Sequence, residues 1–203
     1  MKIDLNRDWE FVEAFSDGFA AGAKCDSETV SLPHTCALTP YHYFDEAIYQ
    51  LDCGYRRTLS VPEEWVGKDV YFCGAAAGHS AYVYLNGEQV SEHHCGYTAF
   101  RVKLPVTPGE DAVLAVRVDS RENQDFPPFG YVIDYMTFGG LYREVWLEVV
   151  GDTCIADVFA MPRIPNTVKL FKTEPTPEQV RQLRFPGQAE NMVTLRVRRW
   201  HDF

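Results

Sequence analysis

The sequence predicts an all-β antiparallel sandwich, and three observations carry that prediction. Aromatic residues make up 14% of the chain, and 14 glycines and 12 prolines punctuate it often. That mixture favours many short strands over long helices. Several short runs alternate apolar and polar residues, and between two of them stands Asn86-Gly87, a pair that tolerates the positive φ angles of a type I′ hairpin turn.

The stretch Val70 to Leu104 organises the rest. It reads as three strands around that single turn. Ala81 to Leu85 is β-branched and aromatic, which suits a pleated surface. Glu88-Gln89-Val90 begins the return strand. Gly74 to Gly78 is built of small residues, which let a strand or loop pass close under its neighbours. Tyr97 to Leu104 puts Phe100, Val102 and Leu104 on one face, and Pro105 ends it.

In chain order, Ile3 to Phe11 predicts an opening strand or two with a turn at Asn6-Arg7-Asp8. Asp17 to Asp26 predicts a loop, and Val30 to Cys36 a short strand stopped by proline. Tyr41, His42, Tyr43, Phe44 and Tyr49 fall in a long loop. Gly54 to Val61 is a strand ending at Pro62, with a turn at Val66-Gly67-Lys68. Ala112 to Asp119 is another, with Leu114, Val116 and Val118 together. Arg121 to Gly140 has no periodicity, and a loop of such length in a compact domain is usually functional. Leu141 to Val150 closes the sheet, with Leu141, Val145, Leu147 and Val149 on one face.

The domain expected from these elements is residues 1–150, with 151–203 an incomplete start of a second β domain followed by an atypical basic tail. Cys154 to Met161 would begin it, Thr176-Pro177-Glu178-Gln179 reads as a helix start reaching Phe185, and Met192 to Arg198 as one strand. From Arg163 onward there are 8 basic and 4 acidic residues, leaving 11 and 25 for the rest of the chain. The net charge of −10 argues against nucleic acid or an anionic membrane as partner. Six cysteines occur without a CxxC pair, which excludes a zinc site of ordinary spacing. The first residues carry no apolar signal core, so a cytoplasmic location with reduced cysteines is expected. His93-His94 would point to opposite faces of a strand and could not chelate together. Gly78-His79-Ser80 lacks the strand-turn-helix setting of a nucleophile elbow.

Five motifs occur in the order found in glycoside hydrolase family 2. They are Leu32-Pro33-His34-Thr35 after an Asp8-Trp9-Glu10-Phe11 strand, Gly54-Tyr55-Arg56-Arg57, Val83-Tyr84-Leu85-Asn86-Gly87, Gly96-Tyr97-Thr98, and Gly139-Gly140-Leu141-Tyr142-Arg143-Glu144-Val145. Residues 1–150 resemble the N-terminal sugar-binding domain of that family, which includes β-galactosidases and β-glucuronidases. The resemblance implies a jelly-roll, galactose-binding-like sandwich acting on β-galactoside or β-glucuronide carbohydrates, with 151–203 an incomplete start of an immunoglobulin-like domain. It implies that Asp134, Thr35 and His34 contact substrate, with a monovalent cation near Asp134 in a full-length enzyme. Full-length relatives would be homo-oligomers. Cys36 stands where the family usually has tryptophan. The catalytic carboxylates lie on a later barrel in the family, whose acid/base glutamate follows an asparagine; no Asn-Glu dipeptide occurs here. The resemblance therefore implies a truncated form without catalysis of its own. Two other readings stay open: a free-standing carbohydrate-binding module using Tyr41, Tyr43, Phe126, Phe129, Tyr131 and Tyr135, and a non-catalytic interaction domain.

Overall fold

Ten strands among the described residues form two antiparallel sheets that share one core. The structure is a computed structural model, describing residues 1–38, 41, 42, 45–126, 138–151 and 153. The chain divides into two units, Met1–Val150 and Gly151–Phe203; the elements below belong to the first. The expected elements at 154–161, 176–185 and 192–198 lie outside the described residues.

The strands are β1 (Lys2–Asp4), β2 (Trp9–Val12), β3 (Glu28–Val30), β4 (Asp52–Ser60), β5 (Asp69–Gly74), β6 (Ser80–Leu85), β7 (Glu88–His94), β8 (Phe100–Lys103), β9 (Asp111–Asp119) and β10 (Val145–Val150). One sheet runs β1-β10-β5-β8 and the other β3-β2-β4-β9-β6-β7. The core lies between them. Cys53 and Tyr55 of β4 and Leu114, Val116 and Val118 of β9 project inward from the larger sheet, and Val70 and Phe72 of β5 and Val145, Leu147 and Val149 of β10 from the smaller. Inward and outward residues alternate along β10, as the two-residue pleat requires. Trp9, fully buried, meets Phe72 across the layers with ring centroids 6.3 Å apart.

The central stretch holds four strands rather than three, because it changes sheets partway. β5 belongs to the smaller sheet and β6 to the larger, so the small residues 74–78 are the crossing. The crowding there explains their size: a Cβ on Gly74 would lie 2.4 Å from the Phe100 ring, and one on Gly78 2.4 Å from the Phe138 carbonyl.

At the hairpin tip Asn86 has φ 52° and Gly87 φ 88°, the positive-φ pair that a type I′ turn demands. Asn86 is held further by β9: its N–H donates to the Val113 carbonyl and its Oδ1 accepts the Val113 N–H, both at 2.8 Å. A Cβ on Gly87 would stand 3.0 Å from Ala21 Cβ.

Consecutive arginines on β4 serve opposite faces. Arg56, 7% exposed, reaches outward, pairs with Glu10 and donates from Nη1 to the carbonyls of Phe19 and Ala23 at 2.8 and 2.9 Å. These bonds hold the segment expected to be a loop, four residues of which form a helical turn, α1 (Asp17–Ala20), capped by Ser16. Arg57 donates to the carbonyls of Leu5 and Arg7 at 3.0 and 2.8 Å, fixing the turn before β2.

Two strand boundaries depart from expectation. β3 stops at Val30, because His34 and Cys36 give their N–H groups to the 139–141 segment instead of to a sheet. β10 begins at Val145: Gly140 has φ 103°, which bends the chain, so Leu141 is fully buried but precedes the strand.

β1 and β10 join the two ends of the first unit, with the Met1 ammonium 2.7 Å from the Val149 carbonyl. A chain ending at Val150 is therefore expected to melt in one cooperative transition. A sharp melt of the full chain with none for residues 1–150 would refute this. Asn86→Ala and Gly87→Val should each cost about 1 kcal/mol or more, through lost positive-φ tolerance and, for valine, collision with Ala21. Denaturant titration checks both, and unchanged midpoints would sink the turn's role.

Candidate functional site

The site expected from the sequence draws on two segments, residues 32–38 and the end of the long loop before β10. Backbone hydrogen bonds join them. His34 N–H donates to the Leu141 carbonyl at 2.9 Å, and Cys36 N–H to the Gly139 carbonyl at 3.0 Å. Thr35 sits between these two rungs.

Gly139-Gly140 makes that approach possible. A Cβ on Gly140 would lie 2.5 Å from the Tyr55 hydroxyl and 3.0 Å from the His34 carbonyl. A Cβ on Gly139 would lie 2.6 Å from both Cys36 Sγ and Ser120 Oγ. Separations below 3 Å are not tolerated by real side chains, so the pair reads as a packing requirement.

The His34 ring is half-buried against Phe11, edge-on at 4.8 Å, with Nδ1 3.0 Å from the Tyr55 hydroxyl. Burial lowers the pKa of His34, against the opposing charge of Glu28, so the ring is neutral at pH 7. Burial pushes the Tyr55 hydroxyl the other way, far up, and keeps it protonated. The phenol and Nδ1 share one hydrogen bond, whose direction follows the imidazole tautomer. The Thr35 hydroxyl donates to the Ala37 carbonyl at 3.0 Å, leaving its oxygen as an acceptor. Asp134, the third expected site residue, lies outside the described residues, as do Tyr43, Phe129, Tyr131 and Tyr135.

Supporting residues that sequence reasoning missed lie beneath. Ser120, 3% exposed, accepts the Leu51 N–H at 3.1 Å and sits against the carbonyls of Tyr49 and Leu51. Asp52 takes two bonds from Arg117, each 2.7 Å, and one from Arg121 at 3.2 Å, which braces the start of β4 against the end of β9. Around the rim Leu38 and Tyr41 are 91% and 92% exposed and Phe138 41%. Phe138 packs edge-on against Tyr49 at 5.8 Å. Only the Gly139-Gly140 pair announced this packing in the sequence.

His93 and His94 take separate partners, Thr98 for one and Ser80 and Phe126 for the other. His94 stacks on Phe126 at 4.3 Å, which engages one of the aromatics considered for a sugar platform. No group of three or more His, Cys, Asp or Glu side chains among the described residues is placed to hold a metal ion. No helix among them is long and apolar enough to cross a membrane.

No protein-family model matches the chain. A β-galactosidase of Thermoanaerobacter pseudethanolicus is 41% identical over 172 residues, covering 82% of this chain and 23% of that protein. A β-galactosidase of Thermoanaerobacterium thermosulfurigenes is 38% identical, covering 77% and 22%. The crystal structure of a Bacteroides uniformis β-glucuronidase superposes with a TM-score of 0.68 at 33% identity, over 76% of this chain and 18% of that one. The chain belongs to glycoside hydrolase family 2. It corresponds to the N-terminal domain of the family 2 enzymes and spans about a fifth of the relatives it matches. The all-β sandwich expected of a family 2 N-terminal domain is the fold observed.

Burial also lowers the pKa of His79, with Asp119 and Glu122 opposing. Both histidines therefore bind protons less readily folded than unfolded. Their contribution to stability is complete above the ordinary imidazole value of 6.5 and is lost as pH falls through the lowered folded values. The melting temperature should fall between pH 7.5 and 5.5, and His34→Gln with His79→Gln should flatten the dependence. A wild-type melting temperature constant over that range would contradict it.

Proposed function

We propose that this chain is the N-terminal, sugar-facing part of a family 2 glycosidase acting on β-galactosides or β-glucuronides. The observation that carries the reading is the pair of backbone rungs that sets residues 34–36 beside 139–141, the two segments the family motifs mark. In this proposal Thr35 offers a hydroxyl oxygen as acceptor, His34 offers a ring nitrogen, and Asp134 accepts charge-assisted bonds from sugar hydroxyls. Such contacts orient a substrate. Hydrolysis needs two further carboxyl groups about 5 Å apart in a retaining enzyme, which the reading assigns to another domain. A monovalent cation beside Asp134 and homo-oligomeric assembly would belong to that larger enzyme. A cytoplasmic location accompanies the proposal.

Tyr41, at 92% exposure, favours a second reading, a module that binds carbohydrate by itself. Calorimetric titration of the chain with galactose, glucuronate and oligosaccharides separates the two. Saturable binding at millimolar sugar or tighter supports the module, and its absence leaves the enzyme-part reading.

The main reading predicts no hydrolysis of nitrophenyl β-galactoside or β-glucuronide by the 203-residue chain above buffer. Grafted in place of the matching domain of the Thermoanaerobacter pseudethanolicus relative, residues 1–150 should support turnover. Asp134→Ala in that chimera should lower kcat/KM about 10-fold or more, the scale of one charge-assisted hydrogen bond. Turnover by the chain alone, abolished by a substitution within it, would overturn the reading, whereas an unaffected Asp134→Ala chimera would remove only that residue's role.

A further inference from the structure

Tyr55 meets the two joined segments where they meet each other. It stands opposite Phe11 in the β2–β4 pairing and is fully buried. His34 Nδ1 lies 3.0 Å from its hydroxyl oxygen, and a Cβ on Gly140 would lie 2.5 Å from the same atom. One buried oxygen therefore abuts both the segment that carries His34 and the segment that carries Gly139-Gly140. Phe11 closes the arrangement from another side, edge-on to His34 at 4.8 Å and against the Tyr55 ring at 5.0 Å, while the His34 and Tyr55 rings stand edge-on at 5.7 Å. Three rings, all from the core side of the site, thus hold one another in place.

The two nitrogens of the His34 ring are treated differently. Nδ1 is taken by the phenol. Nε2 has no hydrogen-bond partner among the described residues, and it is not one of the side-chain polar atoms buried without one. It is the nitrogen left free to meet a ligand. His79 shows the opposite arrangement, because its Nδ1 is buried and has no partner.

We infer that Tyr55 is a positioning residue for the sugar site: its hydroxyl holds the His34 imidazole in one orientation and one tautomer, with Nε2 turned toward substrate. The inference rests on the reading that His34 contacts the sugar. An imidazole without a fixed partner exchanges tautomers, and would offer a donor at one moment and an acceptor at the next from the same place. A fixed bond at Nδ1 ends that exchange, because the direction of the phenol bond sets whether Nε2 donates or accepts. The ring is then ordered before substrate arrives, so the ordering does not have to be met on binding. Tyr55 itself touches no substrate and acts through His34.

The test reads the ring directly in the full chain. Nitrogen-15 spectra of histidine-labelled protein are recorded at about pH 7.5, where the His34 ring is neutral, and its signals are assigned by their loss in His34→Gln. In the wild type, one His34 nitrogen should give a protonated signal and the other an unprotonated one. In Tyr55→Phe, which removes only the hydroxyl, both signals should move toward those of free imidazole, while His79, His93 and His94 keep theirs. Wild-type signals averaged between the two tautomers would overturn the inference whether or not the variant folds, and so would unchanged His34 signals in a folded variant. Should Tyr55→Phe fail to fold, 3-fluorotyrosine in place of tyrosine keeps the hydroxyl and makes it more acidic. His34 Nδ1 should then shift more than Nε2, and the absence of any shift would overturn the inference.

Kinetics separate this inference from the function proposed above. In the chimera, Tyr55→Phe should lower kcat/KM about 5-fold, the scale of one neutral hydrogen bond. In a His34→Gln background the same substitution should cost nothing further. An equal loss in both backgrounds would mark a merely structural role and overturn the inference. If His34→Gln alone left kcat/KM unchanged, the sugar contact assigned to His34 would fall, whereas the ring orientation read from the spectra would stand.

Discussion

The ladder between β4 and β9 is the constraint on which everything else depends. It pairs nine residues on each strand, from Asp52 opposite Asp119 to Ser60 opposite Asp111. Its inner face supplies Cys53, Tyr55, Leu114, Val116 and Val118 to the core. Its outer face carries Arg56, whose bonds to Phe19 and Ala23 hold α1 over the sheet, and Arg117, which grips Asp52. At the end of the ladder Ser120 and Leu51 bond to each other, and the two segments of the candidate site rest on that end. A shift of one residue in this register would turn every one of these side chains to the wrong face. That consequence explains why so many distant groups converge on one pair of strands.

Much of the sandwich was legible because its signals are local. Asn86-Gly87 states its own turn through the φ values the two residues tolerate, and β9 and β10 state their buried faces by alternation. The misread boundaries share one cause, hydrogen bonding to distant partners. The apolar pattern that runs back from Val145 to Leu141 continues across a bend made by Gly140, so periodicity alone extends the strand too far. Residues 31–36 look extended, but the chain bends at Leu32, Pro33 and Cys36, and the N–H groups of His34 and Cys36 go to residues 139–141 rather than to a sheet edge. The turn α1 is four residues long and contains Gly18, too short for helical periodicity to emerge, and its stability comes from Arg56 and Ser16.

The candidate site was legible as a set of motifs but not as an arrangement. His34 and Thr35 could be named from Leu32-Pro33-His34-Thr35. What the motif does not contain is the Tyr55 hydroxyl that bonds the imidazole, or the Ala37 carbonyl that takes the threonine proton. Gly139-Gly140 was visible as a pair, yet its meaning depends on Cys36, Ser120, Tyr55 and His34 crowding the space where a side chain would go. Each of those neighbours is 19 or more residues away in sequence. Such contacts are set by the ladder and reach the sequence only as a preference for the smallest residue.

The hairpin tip gives the molecule two unlike ends. Gly87 abuts Ala21 and Asn86 is bonded twice to Val113, whereas Ser120, at the other end of the same strand, supports the candidate site. Seven residues separate Val113 from Ser120, roughly 23 Å along an extended strand. One end is therefore sealed by close backbone packing and gives little room for longer connections. The other end bears Leu38, Tyr41 and Phe138 on its surface, where chain length and composition can change without disturbing the ladder. Variation among relatives should gather at that open end, so new specificities can arise there while the fold beneath stays the same.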